Sequence, residues 1–88
     1  MRRFVIKELN NNLYLGLHFA TTDISNAILF KDKARALIAS KMNFNTWRFI
    51  DSLVYDVDEI SATEYEQFAK NLNIKVIPIE IIEDCYLE

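Results

Sequence analysis

Apolar and polar residues alternate over residues 13–20. Leu13, Leu15, Leu17 and Phe19 fall on one side, and Tyr14, Gly16, His18 and Ala20 on the other. A period of two is the pattern of a half-buried strand. Residues 3–9 hold Phe4, Val5 and Ile6, a strand composition. Between the two runs stand Asn10, Asn11 and Asn12. Asparagine tolerates positive φ, so the triplet predicts the turn of an antiparallel hairpin. Further on, residues 21–26 are polar and turn-like, and residues 27–30 form a short apolar run. Asp32 then caps an expected helix with Ala34, Leu37, Ile38, Lys41 and Met42 along one stripe. A start at Asp23 or Ser25 fits the helical period as well, because Ile24, Ala27 and Ile28 share it.

Residues 43–45 read as the break after that helix. In residues 47–57, Trp47, Phe49, Leu53, Tyr55 and Val57 share one parity, with Asp51 intruding. This predicts a strand bulged at Asp51–Ser52. Ile50, Val54 and Val57 are helically spaced, so a helix stays open there. Ser61-Ala62-Thr63-Glu64 matches a capping box, in which serine and glutamate satisfy each other's backbone donors. A helix with a buried stripe of Ala62, Tyr65, Phe68, Ala69 and Leu72 follows, ending near Asn71 and Asn73. Residues 75–82 form a last strand, and Pro78 inside it predicts an edge or a bulge, because proline gives the ladder no donor. The expected fold class is α+β. It is a mainly antiparallel sheet of four to five strands with two helices packed on one face, in the order β-β-(β)-α-β-α-β, forming a single domain over residues 1–88.

Composition narrows the chemistry. With one glycine in 88 residues, a glycine-rich phosphate loop is excluded. One cysteine, Cys85, excludes an intrachain disulfide and points to a reducing, cytoplasmic setting. No apolar run has the length of a signal-peptide core or a membrane span, so no membrane is expected as a partner. The net charge is −3, unevenly spread. Residues 1–48 hold eight basic and three acidic groups, whereas residues 49–88 hold two basic and ten acidic groups. Either the fold interleaves the halves or the molecule carries an acidic face that steers toward basic partners.

The first 36 residues resemble small uncharacterised phage-type proteins of low-GC bacteria. The pattern is Phe4-Val5-Ile6-Lys7, an Asn-rich turn, Tyr14-Leu15, a Thr22-Asp23 turn, then Ala27-x-x-Phe30 and a helix holding Ala34. The abundance of Ile, Asn, Phe, Tyr and Lys agrees with such a source. The resemblance implies a non-catalytic accessory or inhibitor that binds and occludes a host or defence protein. It transfers no functional residue.

The individual residues point the same way. His18, the single histidine, has no sequence neighbour that orients it as a base. Cys85 is flanked by Asp84, which disfavours a thiolate. One cysteine and one histidine make no structural zinc site. No catalytic residue, metal ligand or cofactor is therefore assigned. The acidic residues Asp56, Asp58, Glu59, Glu80, Glu83 and Asp84 are the candidates for contact with a partner protein of unknown identity. A second possibility is an oligomeric binder that sequesters a nucleotide-like ligand through Arg2, Arg3, Lys7 and Arg48. A third is an acidic mimic of nucleic acid. Direct nucleic-acid binding is disfavoured, since the aromatic-rich half is the acidic half.

Overall fold

The computed structural model describes residues 1–54 and 60–88. The chain is α+β. Its strands are β1 (Arg2–Glu8), β2 (Leu13–Leu15), β3 (Ala20–Thr21), β4 (Ile74–Ile82) and β5 (Cys85–Leu87). They form one antiparallel sheet in the order β3-β2-β1-β4-β5. Between β3 and β4 run a 3₁₀ turn (Ile24–Asn26) and three helices, α1 (Lys33–Ser40), α2 (Asn43–Leu53) and α3 (Ala62–Asn71).

β1 is the middle strand, and its pairing with β4 covers seven residue pairs from Arg2↔Glu80 to Glu8↔Ile74. Both of its faces are buried: Val5 and Ile6 point to opposite sides and both are 0% exposed. Ile6, Leu13 and Leu15 meet Phe49 of α2, with Ala39 of α1 and Ile74 and Val76 packed beside them. The other face joins Val5, Tyr14 and Ile79, flanked by Ile24, Ala27 and Tyr86. Helices cover one face, and the segment around the 3₁₀ turn closes the second, smaller core.

The Asn triplet makes the expected hairpin, with Asn12 at φ 56°. Buried Glu8 organises it. Its carboxylate accepts from the Asn10 and Asn11 backbone N–H groups at 2.8 and 3.2 Å and from Asn11 Nδ2 at 3.0 Å. The second strand departs from the sequence pattern by ending at Leu15, which leaves Leu17, His18 and Phe19 in an exposed loop. The cause is a turn in which Gly16 N–H donates to the Phe19 carbonyl at 3.1 Å. A Cβ on Gly16 would lie 2.4 Å from that carbonyl oxygen, so only glycine fits.

Asp32 caps α1, accepting from Arg35 N–H at 2.7 Å, while Asp23 caps only the short 3₁₀ turn. The expected strand over 47–57 is corrected. Residues 43–53 are helix α2, and the break falls at Lys41–Met42 rather than at 43–45. As a helix, α2 buries Asn45, Phe49 and Ile50 and turns Asp51 outward, whereas a strand puts Asp51 on the face of Phe49 and Leu53. Positions 55–57 of that expected strand lie outside the described residues. Asn45 Nδ2 donates to the Ala39 carbonyl and ties the end of α1 to α2. The helix count is accordingly three rather than two, and the order is β-β-β-α-α-α-β-β. The turn after Ile82 that starts β5 uses positive φ at Glu83 and Asp84, at 48° and 65°.

Ser61 caps α3, accepting from Glu64 N–H at 3.2 Å. Tyr65, Phe68, Ala69 and Leu72 are half-buried and Ala62 is exposed. β4 is an interior strand, not the edge that Pro78 suggested. The Phe4 N–H and carbonyl both bond Phe30, so Pro78, opposite Phe4, turns its nitrogen away from β1. β5 pairs only with Glu80–Ile82, so β4 has no strand neighbour where the proline lacks a donor.

Two substitutions test this packing by chemical denaturation. Phe49→Ala is expected to cost about 3–5 kcal/mol, as for a buried aromatic that leaves a cavity. Gly16→Ala is expected to cost about 1–3 kcal/mol, because backbone rather than a flexible side chain must give way.

Candidate functional site

The basic residues proposed to hold a ligand do not converge. Arg2 and Arg3 alternate across β1, so their side chains leave on opposite faces of the sheet. Arg2 Nε bonds Glu80 Oε1 at 3.0 Å, and Arg3 Nη1 donates to the Arg2 carbonyl at 2.9 Å. Arg48 belongs to α2, where its Nη1 donates to the Gly16 carbonyl at 3.1 Å and its guanidinium lies 4.9 Å from the centre of the Phe44 ring. Lys7 is buried on the second face. Its Nζ bonds both carboxylate oxygens of Glu88, at 2.8 and 3.0 Å, and stands 4.8 Å from the centre of the Tyr14 ring. The Tyr14 hydroxyl donates to the same carboxylate. Each of these cations therefore makes at least one contact to an oxygen of this chain.

The acidic candidates divide. Asp56, Asp58 and Glu59 lie outside the described residues. Glu80 sits beneath Arg2 and the N-terminal ammonium, 3.0 and 3.5 Å away. Its hydrogen bond from Arg2 lowers its pKa below the usual 4.5, with the ammonium adding to the effect. Glu83 and Asp84 form the exposed tip of the β4–β5 hairpin. The Asp23 pKa is lowered too, chiefly by its hydrogen bond from Ser25. His18 and Cys85 are both exposed, on the 16–19 loop and on β5. Among the described residues no three His, Cys, Asp or Glu side chains gather at one point, and no helix is long and apolar enough to cross a membrane.

A different surface stands out, one made by α1 and α2. The stripe of α1 that the sequence spacing marks at Ala34, Leu37, Ile38, Lys41 and Met42 faces outward. Ile38 is 69% exposed, and Leu37 and Met42 are exposed beside it. Ala36 and Ala39 take the inward positions. The reason is space. α1 lies across β1 and β4, and small alanines let the helix approach strands whose own faces carry Ile6 and Val76. On α2, Phe44 and Trp47 are also exposed, and the Trp47 ring rests on Tyr65 of α3 at 4.6 Å between centroids. Arg48 draws in the 16–19 loop, whose Leu17 and Phe19 are 67% and 65% exposed. Large exposed apolar side chains on a small domain are the usual mark of an interaction surface. The spacing of Ala34, Leu37, Ile38 and Lys41 identified the stripe from sequence; which way it faced depended on the sheet.

No protein family, no curated protein and no solved structure matches this chain.

Two measurements check the electrostatics. In an NMR titration Glu80 is expected to ionise below 4.5, and Arg2→Gln to return it toward that value. The sign follows from the lowered pKa: the Arg2–Glu80 contact contributes fully above the ordinary glutamate pKa and is lost as pH falls through the folded one. For the part-buried pair, Glu88→Gln is expected to cost about 1.5–3 kcal/mol, the range for hydrogen bonds to charged groups. A double-mutant cycle with Lys7→Met should return a positive coupling.

Proposed function

We propose that this chain is a small non-catalytic protein-binding module, an accessory or inhibitor that acts by covering a partner's surface. The observation that carries the reading is the outward apolar stripe of α1, with Leu37 and Ile38 exposed while alanines fill the buried side. A helix gains nothing by presenting a leucine and an isoleucine to water, and burying their exposed parts against a partner recovers part of the roughly 1.5–3 kcal/mol that full burial of such a side chain contributes. Phe44, Trp47, Leu17 and Phe19 are exposed as well, and aromatics of this kind are the common anchors of interfaces. Of the described acidic candidates, Glu83 and Asp84 stand at the hairpin tip and Glu80 is engaged by Arg2. The nucleotide-sequestering alternative loses support, because Arg2, Arg3, Lys7 and Arg48 are spread over three places and bound to internal acceptors.

The test is a pull-down with tagged protein, read by native mass spectrometry for stoichiometry. Wild type and the tip variant Glu83→Lys/Asp84→Lys are expected to retain one stoichiometric protein, and Ile38→Glu or Trp47→Ser to lose it by at least about tenfold in affinity, equal to ~1.4 kcal/mol. Equal retention by Ile38→Glu with a native-like circular dichroism spectrum overturns the α1 surface as the site.

A further inference from the structure

The hairpin of β4 and β5 projects an apolar face of its own. Glu80, Ile82, Cys85 and Leu87 alternate onto the sheet face that carries the helices, but none of them belongs to the core beneath α1 and α2. Ile82 is 55% and Leu87 54% exposed, and with Arg2, Pro78 and Glu80 they line a groove of about 300 Å³. The only charges at its tip are Glu83 and Asp84, and among the described residues neither has an ion-pair partner. The α1 surface is its electrostatic opposite. α1 contains no acid, its apolar stripe is bordered by Lys33, Arg35 and Lys41, and Lys31 precedes it. Asp32, the nearest acid, is spent on capping the helix and on Arg35 at 3.3 Å. The molecule is 43 Å long and 24 Å wide, long enough to present the two surfaces as separate patches.

We infer that copies of this chain associate head to tail, the β4–β5 hairpin of one protomer seating Ile82 and Leu87 against Leu37, Ile38 and Met42 of the next. This rests on the reading of α1 as a docking surface and names its occupant. Charge decides the geometry. A two-fold dimer through α1 sets the lysines of one copy against those of the other, and one through the hairpin does the same with Glu83 and Asp84; both arrangements repel. The mixed pairing alone places acid against base around an apolar centre. A standard interface takes about 800 Å² from each partner. That is a large share of a chain with 6046 Å² of total surface, so a smaller contact and a weak, concentration-dependent association are expected.

Sedimentation velocity over a concentration series, at low and high salt, tests this on the full chain. The mass average is expected to rise with concentration and to fall with salt. Ile38→Glu and Ile82→Lys change exposed residues, and each alone is expected to leave a monomer, with the fold checked by circular dichroism. Mixed in equal amounts, the two variants are expected to form a dimer and nothing larger, because each retains the surface the other has lost. A wild type that stays monomeric at every concentration overturns self-association. So does an association that neither variant weakens, or a mixture that fails to dimerise. If the wild type is monomeric while Ile38→Glu still abolishes capture of another protein, self-association falls and the α1 docking surface stands. If Ile38→Glu changes neither readout, both fall.

Discussion

The antiparallel pairing of β1 with β4 is the constraint on which the rest of the molecule depends. It joins residues 2–8 to residues 74–80 and so closes the whole helical excursion between them. Closing a loop of that length costs several kcal/mol of chain entropy. The pairing is viable because β1 is buried on both faces, with Val5 and Ile6 in separate cores. A strand in this position must be apolar on both sides, and its charged residues must be satisfied internally. Lys7 and Glu8 meet that condition differently. Lys7 takes the Glu88 carboxylate and the Tyr14 ring, while Glu8 takes three N–H donors of the adjoining turn.

The helical layer is fitted to this sheet. α2 fills the space over β2 and β3 with Phe49, and α1 lies close over β1 and β4 through Ala36 and Ala39. Small residues toward the sheet leave the larger ones outside. The exposed surface of α1 is therefore a consequence of how the core is filled. The same economy appears at Gly16, where a tight turn ends β2 early and releases Leu17 and Phe19 to solvent.

Charge and apolar surface are distributed together. Arg2 and Lys7, cations of the basic half, are neutralised by Glu80 and Glu88 of the acidic half, so the fold interleaves the two halves at the sheet. Among the described residues without an ion-pair partner are Lys31, Lys33 and Lys41 around α1 and Glu83 and Asp84 at the hairpin tip. Each set borders exposed apolar residues. That coincidence links the electrostatics of the chain to the proposal that it works by contact.

Local signals determined a good part of this protein. The Asn10–Asn12 turn, the caps at Asp32 and Ser61, the last strand and the antiparallel α+β class are legible in the sequence, because each depends on residues a few positions apart. Residues 47–57 were ambiguous, since their aromatic and β-branched content favours a strand while Ile50, Val54 and Val57 keep helical spacing, and 43–45 read as a break. Burial of Phe49 against Leu13 and Leu15, a contact between distant segments, decided for helix. The same holds for the proposed docking surface. A hydrophobic stripe at Ala34, Leu37, Ile38 and Lys41 is visible in the sequence, but periodicity states only that a helix has two faces. Which face is buried is set by the room left above β1 and β4, and that is fixed only when residues far apart in the chain have met.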